Sequence, residues 1–426
     1  MKVLLVNPPI RENAPPQNVP IGLAIVAKVL LLAGHDVRVL DINGERLSKQ
    51  QVLERFDLND EYDVVGAGGL ITTYKYLTWL IPEIRKRNPR STIVLGGGVV
   101  TSSPRMLLGR TPADIAVVRE GEETIVELLA ALRDNKPLKE IRGIAFKNQD
   151  GTIEVTQPRP LVEDLDALPF PAYELFPMKT YLANVCHADS INKRTEVDLI
   201  AARGCPYSCR YCYHIFGRGV RYRSPENVIA ELQYLIERYS PESFLLLDEL
   251  FITTKKRVKA FCDLLREARI DIPWSCYARV NVVDDEMLRT MKSAGCYRVG
   301  YGIESGSQRI LDNMGKRVKI EQAERAIRLT RRAGLQCGMT FMFGYPGENL
   351  ETIRETVDFC KRNLVQATFF YTTPYPGTEL YNECEDMVLD VFGSEEKFVE
   401  VLGDAAQFTV NLTEFPDEEL IRLKTE

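Results

Sequence analysis

The sequence predicts an α/β protein with two successive parts, a doubly wound (Rossmann-like) domain and a partial (β/α)6 barrel, followed by a small C-terminal tail. Two observations support this prediction. Apolar runs of strand length alternate with amphipathic segments of helix length over most of the chain, and this alternation stops at a proline-rich stretch and then starts again. The 426 residues are enough for about two to four domains, each with its own core.

The first part opens on a strand that we expect to be buried on both faces. Met1–Asn7 is a continuous apolar run ended by two prolines, which is typical of a central strand in a parallel sheet. Helix Ile21–Ala33, closed by Gly34, leads to strand Asp36–Asp41. Further strands are predicted at Val64–Gly66, Thr92–Leu95 and Ile115–Val118, and further helices at Leu77–Lys86 and Glu123–Leu132. Five strands interleaved with helices predict a doubly wound domain over residues 1–137.

Residues 138–194 are predicted to form a hairpin and a linker between the two parts. Gly143–Phe146 and Thr152–Val155 flank a turn with the sequence Asn-Gln-Asp-Gly, which is a hairpin pattern. Five prolines then follow between Pro158 and Pro177. Such a density of proline favours an extended connection and indicates a domain boundary.

The alternation restarts at residue 195 and gives six strand and helix units up to residue 385. A helix begins after Ser224 and Pro225, which suit the cap and the first helical turn. The predicted strands are Asp198–Ala202, Phe244–Leu247, Trp274–Arg279, Tyr297–Ile303, Gln336–Phe343 and Thr368–Thr373. Six units make an open barrel, because a closed one uses eight. Residues 386–426 are acidic, have a weak helical period, and are predicted to form a capping segment.

Three cysteines with the spacing C-x3-C-x2-C directly follow the first barrel strand. Cys205, Cys209 and Cys212 lie on a loop at the strand's carboxyl end, where α/β barrels carry their chemistry. An iron-sulfur cube normally takes four thiolates, so three local ones would leave one iron open to a substrate or cofactor. A zinc site that adds His214 is the alternative, although structural zinc sites usually use two separated cysteine pairs. A third possibility is that the three cysteines bind no metal and are free thiols that pack in the protein interior.

Composition excludes several other classes of protein. The net charge of -6 argues against non-specific nucleic-acid binding as the main function. No apolar run approaches the ~18 residues of a membrane span, and no signal peptide is recognisable, so a cytoplasmic protein is expected. Seven cysteines outside the motif are scattered singly and are expected to be buried, reduced thiols: Cys186, Cys262, Cys276, Cys296, Cys337, Cys360 and Cys384.

Small and hydroxyl residues follow three strands of the first domain. One loop carries Thr72 and Thr73, the next Gly97 and Gly98, and the third Gly121 with Glu122. Ligands of open α/β sheets bind at this edge, and glycine lets the backbone approach them closely. Each glycine alone is explained by a tight turn, but the three loops together favour a bound ligand. A dinucleotide is disfavoured because no G-x-G-x-x-G motif opens the first helix.

The cysteine motif, with the aromatic Tyr211 before its last cysteine, resembles the signature of the radical S-adenosylmethionine (SAM) superfamily. The resemblance implies a 4Fe-4S cluster on Cys205, Cys209 and Cys212, which would be both the metal ligands and the catalytic residues. In that family the open iron chelates the amine and carboxylate of SAM, and reductive cleavage yields a 5'-deoxyadenosyl radical. The six-unit barrel is also the core that this family implies.

The ends of the other barrel strands match further positions of that family. Asp248 and Glu249 stand where it places an acidic contact to the SAM amine, and Arg279 is suited to the SAM carboxylate or a ribose hydroxyl. Glu304 and Ser305 correspond to the family's ribose or methionine contact. Gly344 and Pro346 correspond to its turn under the adenine. For Glu304 and Glu348, a helix cap or a salt bridge is the alternative.

The first domain resembles the cobalamin-binding domain of one large radical SAM subfamily. The matching segments are Asn7-Pro8-Pro9, Pro20-Ile21-Gly22-Leu23, Gly34-His35-Asp36-Val37, Gly96-Gly97-Gly98 and Arg119-Glu120-Gly121-Glu122. The resemblance implies that the residues in contact with cobalamin are Thr72, Thr73, Gly97, Gly98, Gly121 and Glu122. The D-x-H-x-x-G motif, whose histidine binds cobalt in other cobalamin domains, is absent. The resemblance therefore implies cobalamin held without a histidine ligand, or a domain that has lost cobalamin.

Together these resemblances imply a cobalamin-dependent radical SAM methyltransferase that acts on an unactivated carbon or a phosphinate. One SAM would methylate cob(I)alamin, and a second would give the radical that takes a substrate hydrogen before methylcobalamin delivers its methyl group. The expected partners are a small-molecule substrate and a reductant such as flavodoxin or ferredoxin. The alternative is a cyclase, ring-contracting or C-C bond-forming enzyme. A further alternative is a non-catalytic sensor of cobalamin or SAM. A methylthiotransferase is disfavoured, because no cysteine precedes Cys186.

Overall fold

A seven-stranded sheet lies at the centre of the N-terminal part of the chain. The computed structural model describes residues 1–12, 14–56, 61–183 and 195–425. The strands of this sheet are β1 (Lys2–Asn7), β2 (Asp36–Asp41), β3 (Val64–Gly68), β4 (Thr92–Gly96), β5 (Ile115–Val117), β6 (Ile144–Lys147) and β7 (Ile153–Val155). Their order is β2-β1-β3-β4-β5-β6-β7. The first five pair in parallel, which confirms the predicted doubly wound arrangement.

Helices connect these strands. They are α1 (Ile21–Leu32), α2 (Ile42–Glu45), α3 (Lys49–Phe56), α4 (Tyr74–Arg87), α5 (Gly98–Ser102), α6 (Pro104–Arg110), α7 (Glu122–Arg133) and α8 (Met178–Ala183). The three longest, α1, α4 and α7, are the three that the sequence predicted. The other five have at most eight residues, which is too short to show a helical period.

The hairpin between the two predicted domains belongs to the first sheet. Strand β6 pairs antiparallel with β5, and β7 pairs antiparallel with β6. The sequence placed this hairpin with the linker, and that placement was wrong. An isolated hairpin is only marginally stable in water, whereas the free edge of β5 offers it backbone partners and a buried face. The pattern of the hairpin itself does not reveal this neighbour.

A six-stranded parallel sheet forms the second part. The strands of this part are β8 (Glu196–Leu199), β9 (Ala202–Arg203), β10 (Arg221–Tyr222), β11 (Ser243–Leu246), β12 (Trp274–Ala278), β13 (Cys296–Glu304), β14 (Gln336–Phe343) and β15 (Thr368–Tyr371). The sheet has the order β15-β14-β13-β12-β11-β8 and is parallel throughout. It is the predicted open barrel of six units, in which each strand is followed by helical structure.

The helices of this part are α9 (Pro225–Tyr239), α10 (Lys255–Glu267), α11 (Asp285–Ser293), α12 (Gln308–Asn313), α13 (Ile320–Arg332), α14 (Leu350–Arg362), α15 (Glu379–Phe392), α16 (Glu395–Val401) and α17 (Asp417–Thr425). Aromatic side chains pack the helices onto the sheet: Phe244 stacks on Trp274, and Phe261 of α10 meets Trp274 edge to face. Ser224 caps α9 by accepting a hydrogen bond from the backbone of Asn227, as the sequence indicated.

The first barrel strand is shorter than predicted. Strand β8 ends at Leu199, and Ala202 and Arg203 pair instead with Arg221 and Tyr222 in a two-stranded antiparallel ribbon. The predicted strand Asp198–Ala202 runs through both pieces. Residues 204–220, here called the cysteine loop, therefore span the open end of this ribbon rather than leaving the barrel strand directly.

The contacts divide the chain into two compact units. The N-terminal unit contains the described residues up to 183 together with Phe392–Leu402, and the barrel unit contains residues from 195 to Val391 and from Gly403 onward. The predicted capping segment is thus split between the two units, since α16 packs on α4 and the turn Ile71–Thr73. Among the described residues, no helix has both the length and the apolar character needed to span a membrane.

Candidate active site

The cysteine loop is held by close backbone contacts at both of its ends. Gly204 has φ +88, and a Cβ atom there would lie 2.2 Å from the carbonyl oxygen of Gly219, so only glycine fits this position. Cys205 forms a backbone bridge with Arg218. The amide of Cys212 donates to the carbonyl of Cys209 at 3.1 Å, which closes a turn between two of the motif cysteines. The loop conformation therefore depends on specific backbone contacts.

The three motif cysteines differ in exposure but act on one another electrostatically. Cys209 is buried, Cys205 is half-buried and Cys212 is exposed. Burial raises the pKa of the Cys205 thiol, the charge of Arg279 opposes this, and the Cys209 sulfur adds to it. Cys212 lies within electrostatic range of both other sulfurs. A loop that gathers three thiols fits a group whose iron charge would stabilise their ionised forms.

No cluster of three or more His, Cys, Asp or Glu side chains in the described ranges is arranged to hold a single metal ion. A four-iron cluster makes a different demand from a single ion, because each thiolate binds a different iron.

Arg279 reaches the cysteine loop from the end of β12. Its guanidinium lies 3.6 Å from the ring centre of Tyr207 and donates a hydrogen bond to the Cys209 sulfur at 3.4 Å. It also donates to the backbone carbonyl of Lys316. The sequence suggested that Arg279 holds a carboxylate or a ribose hydroxyl, and the geometry adds a direct contact with a candidate cluster ligand.

A buried lysine joins two of the predicted site residues. The ammonium of Lys316 lies 2.8 Å from Glu304 Oε1 and donates to the Tyr211 hydroxyl oxygen at 3.0 Å. Its side chain is only 6% exposed. Sequence reasoning missed Lys316, because it stands in a polar turn after α12 with no diagnostic spacing to Glu304 or to the cysteines. Proximity in the folded barrel is the signal that identifies it.

Asp248 occupies a structural position at the junction of two strands. Its Oδ1 accepts hydrogen bonds from the amides of Ala201 and Ala202, both at 2.7 Å, while Oδ2 is buried without a hydrogen-bond partner. Burial raises the pKa of Asp248 to about 7. Its neighbour Glu249 is exposed and accepts from the backbone of Gly204 at the start of the cysteine loop. Of the two predicted acidic contacts, only Glu249 has an exposed side chain.

Ser305 and the turn after β14 are held by hydrogen bonds to other groups of the barrel unit. The Ser305 hydroxyl lies 3.3 Å from that of Thr356 on α14, so it faces a helix. Glu348 accepts a hydrogen bond from the Gly344 amide at 2.6 Å, and burial raises its pKa to about 7. The turn that contains Pro346 is therefore fixed by a buried carboxyl group. Glu348 therefore closes this turn and is not the helix cap, which is Asn349 for α14. Glu304 forms the salt bridge that the sequence left open as its alternative, with Lys316.

The glycines at the edge of the first sheet have two different explanations. A Cβ atom on Gly68 would lie 2.1 Å from the carbonyl oxygen of Gly96, and one on Gly97 would lie 2.7 Å from that of Gly69. These two glycines are required by the close approach of two loops. A Cβ atom on Gly96, in contrast, meets nothing within 4 Å. Open space therefore adjoins the carboxyl end of β4, where α/β sheets bind ligands.

The other predicted residues of this edge are placed as follows. Thr73 donates its hydroxyl to the carbonyl of Leu70 at 2.7 Å, but the buried Thr72 hydroxyl has no hydrogen-bond partner. An unpaired buried hydroxyl at a ligand edge fits a bound molecule that supplies its partner. Gly98 begins α5, and Gly121 precedes α7, whose first residue Glu122 is buried. An acidic residue in a first helical turn is also explained by the helix dipole.

Nine cysteines are described, and all are free. Outside the motif, three of them belong to the packed interior between α10 and the sheet: Cys262, Cys276 and Cys296. Cys384 is also buried, and Cys337 and Cys360 are half-buried. The four buried cysteines agree with the expectation of packing thiols, whereas Cys337 and Cys360 are less buried than expected. Cys186 lies outside the described residues.

Comparison with known families assigns both parts of the chain. Residues 199–360 match the family model described as the Radical SAM superfamily, and residues 9–129 match the B12 binding domain. The first of these ranges includes the cysteine loop and the ends of β11 to β14. The second includes the carboxyl ends of β1 to β5.

Two relatives are similar in sequence to this chain over most of their length. The chain is 34% identical to the uncharacterized methyltransferase PH0819 of Pyrococcus horikoshii, over 89% of this chain and 82% of that protein. It is 29% identical to the anaerobic magnesium-protoporphyrin IX monomethyl ester cyclase of Rubrivivax gelatinosus, over 93% of this chain and 72% of that protein.

A solved structure shares the fold. The radical S-adenosylmethionine methyltransferase TsrM from Kitasatospora setae, solved with its tryptophan substrate and a SAM analog, aligns with a TM-score of 0.75. The alignment covers 92% of this chain and 77% of that one at 20% identity. At this identity the likeness concerns the fold, and it extends over both units.

Proposed function

Because the chain belongs to the cobalamin-binding radical SAM enzymes, whose cofactors are a 4Fe-4S cluster, SAM and cobalamin, we propose that it is a methyltransferase. The methyl group would go to an unactivated carbon or a phosphinate of a small molecule. The observation that carries this proposal is the 34% identity, over 89% of the chain, with a relative that is itself named a methyltransferase. The match of residues 9–129 to a cobalamin-binding domain supports it.

Cys205, Cys209 and Cys212 would hold the cluster and leave one iron for SAM. When bound, these groups supply a carbon radical that abstracts hydrogen, and cobalamin supplies the methyl group. The chain's own part is to hold and shape the site. Arg279 donates to the Cys209 sulfur, which supports a ligand thiolate, and a hydrogen bond to a ligand sulfur also tunes the cluster's reduction potential.

The proposed contacts to SAM are Tyr211, Glu249, Arg279, Glu304, Gly344 and Pro346. Support is strongest for Tyr211 and Glu304, which are linked to each other through Lys316 near the cysteine loop. Support is weaker for Asp248 and Ser305, since both are buried and already bonded within the protein. For these two we propose a bracing role that keeps the strand ends in place.

For cobalamin we propose the edge formed by the loops after β3, β4 and β5. The unpaired hydroxyl of Thr72 and the open space at Gly96 support this location. Thr73, Gly97, Gly98, Gly121 and Glu122 would form the surrounding backbone. The chain lacks the D-x-H-x-x-G motif, so we propose that cobalt receives no histidine from it.

We propose that the electron for SAM cleavage comes from a small reductant protein such as flavodoxin or ferredoxin, and that nucleic acid is not a partner. A net charge of -6 supports the second point. A reducing compartment, the cytoplasm, is supported by the nine free cysteines among the described residues.

A second candidate function is a cyclization without net methyl transfer. The specific observation in its favour is the 29% identity, over 93% of the chain, with a protein named a cyclase. Both reactions would use the same three cysteines, so the site geometry does not separate them. The fate of the methyl group of SAM does separate them.

The test is anaerobic reconstitution with iron, sulfide and cobalamin, followed by incubation with SAM whose methyl group is deuterated. A methyltransferase should release 5'-deoxyadenosine and place the labelled methyl group on cobalamin. Cys209→Ala should abolish 5'-deoxyadenosine formation, while Cys360→Ala, which changes a cysteine outside the motif, should not. Label that never reaches cobalamin would favour the cyclase, and a protein that takes up zinc in place of iron would refute both functions.

A further inference from the structure

We propose that Lys316 is a positioning residue of the SAM site, whose buried ammonium fixes Tyr211 and Glu304 relative to each other. The inference rests on the proposed function, because it concerns the same site. Tyr211 belongs to the cysteine loop and Glu304 ends β13, and these are separate elements. Lys316 is the residue that connects them through hydrogen bonds of 3.0 and 2.8 Å.

The surrounding backbone brings Lys316 to this position. The amide of Arg210 donates to the carbonyl of Met314 at 3.0 Å, so the turn after α12 is tied to the cysteine loop. Gly315 has φ +64 and lies against the carbonyl of Ser208. Lys316 follows directly, and its own carbonyl accepts a hydrogen bond from Arg279. The turn that carries Lys316 is thus anchored on both sides of its side chain.

Strand β13 is adapted to the ion pair in two ways. A Cβ atom on Gly302 would lie 2.2 Å from Glu304 Oε1 and 3.4 Å from the Lys316 ammonium, so glycine provides the space that the pair occupies. Glu304 itself has φ +71, a conformation that residues other than glycine rarely adopt. The register between β13 and β14 also shifts at this point. Backbone strain of this kind is concentrated at functional sites.

Stability alone gives a weak reason for such a pair. The side chains of Lys316 and Glu304 are 6% and 13% exposed, and burying two charges costs desolvation that their attraction only partly returns. Apolar residues of similar volume would pack there at least as well. The pair does provide a fixed geometry: one carboxylate oxygen is engaged, and the ring of Tyr211 is held 5.8 Å from the ammonium. Both side chains are then oriented before SAM arrives.

Lys316→Met tests this inference in the protein loaded with cluster and cobalamin. We expect the dissociation constant for SAM, measured by equilibrium dialysis, to rise at least tenfold, and the change that SAM causes in the electron paramagnetic resonance signal of the reduced cluster to be lost. Iron content should stay unchanged. Lys316→Arg should recover part of the affinity, because a guanidinium can reach both partners. The matched control is Lys319→Met, which removes an exposed lysine three residues away.

Gly302→Ala provides an independent test that keeps every charged group. Its methyl group should displace the pair and weaken SAM binding in the same way, so this variant decides the matter if Lys316→Met does not fold. Wild-type affinity together with the wild-type resonance change in Gly302→Ala or Lys316→Met would overturn the inference and leave the proposed function intact. Failure of the loaded wild-type protein to bind SAM would instead refute the proposed function itself.

Discussion

The carboxyl group of Asp248 shows how a residue that looks functional in the sequence can serve the framework. It follows β11 at the carboxyl edge of the barrel, where acidic side chains are expected to contact ligands. In the structure its Oδ1 accepts hydrogen bonds from the backbone amides of Ala201, which precedes β9, and Ala202, which begins it. Burial raises the pKa of Asp248 to about 7, and likewise those of Glu196 and Glu348.

This raised pKa predicts a loss of stability as the pH rises. Between the ordinary carboxyl pKa and about 7, the folded state holds a proton on Asp248 that the unfolded state has released. Its contribution is thus complete below the ordinary carboxyl pKa, falls by about 1.4 kcal/mol per pH unit up to about pH 7, and is absent above it. Asp248→Asn should remove this slope from the dependence of the unfolding free energy on pH between 5 and 7, as measured by urea denaturation.

The exposed Asp271 gives the matched control, since Asp271→Asn should leave the slope unchanged. An Asp248→Asn slope equal to that of the wild type would mean that Asp248 is ionised throughout and is not buried as described.

Lys316 is the opposite case, a residue that looks ordinary in the sequence but lies in the candidate site. Nothing in its sequence context distinguishes it, and only the folding of β13 beside the cysteine loop brings it to Tyr211 and Glu304.

At the scale of elements, helix α16, which lies in the predicted C-terminal capping segment, packs within the N-terminal unit. Glu396 accepts a hydrogen bond from the buried Tyr74 hydroxyl at 3.0 Å and pairs with Arg110 at 3.1 Å. Phe398 is fully buried and packs against Phe392. The sequence of this segment shows only a weak helical period, so its packing partner could not be read from it.

Phe398→Ala should therefore destabilise the N-terminal unit, by about 3–5 kcal/mol for loss of a fully buried phenylalanine. Hydrogen exchange should increase in α4, which α16 contacts, and protection of β11 in the barrel should remain. The control is Val401→Ala on the same helix, because Val401 is 54% exposed and should change stability by less than about 0.5 kcal/mol. Deprotection of β11 instead of α4 would contradict this packing.

At the scale of the whole molecule, two units carry the two cofactor-binding families. Residues 9–129 match the cobalamin-binding family and residues 199–360 the radical SAM family, and each range lies within one unit. Each unit has its own sheet and its own core. Damage to one cofactor site should consequently leave binding at the other intact.

Gly96→Val tests this separation from the side of cobalamin. A side chain at residue 96 enters open space at the carboxyl edge of β4, so the fold should tolerate it while bound cobalamin should not. We expect cobalamin affinity, followed by absorbance, to fall at least about tenfold, and 5'-deoxyadenosine formation to continue. Gly109→Ala, where a Cβ makes only an ordinary contact at 3.8 Å, should bind cobalamin like the wild type. Full cobalamin affinity in Gly96→Val would place the ligand elsewhere.

The sequence by itself determined the two α/β parts, the strands of both sheets to within a few residues, and the cysteine motif that we propose holds the cluster. It did so because apolar periodicity and short-range spacing are local properties of the chain. Only the tertiary structure decided that the hairpin β6–β7 completes the first sheet, that α16 packs in the N-terminal unit, and that Lys316 joins Tyr211 to Glu304. These contacts join residues that lie far apart or in separate elements, and local patterns carry no information about which distant partner a free strand edge, an apolar helix face or a buried charge will meet.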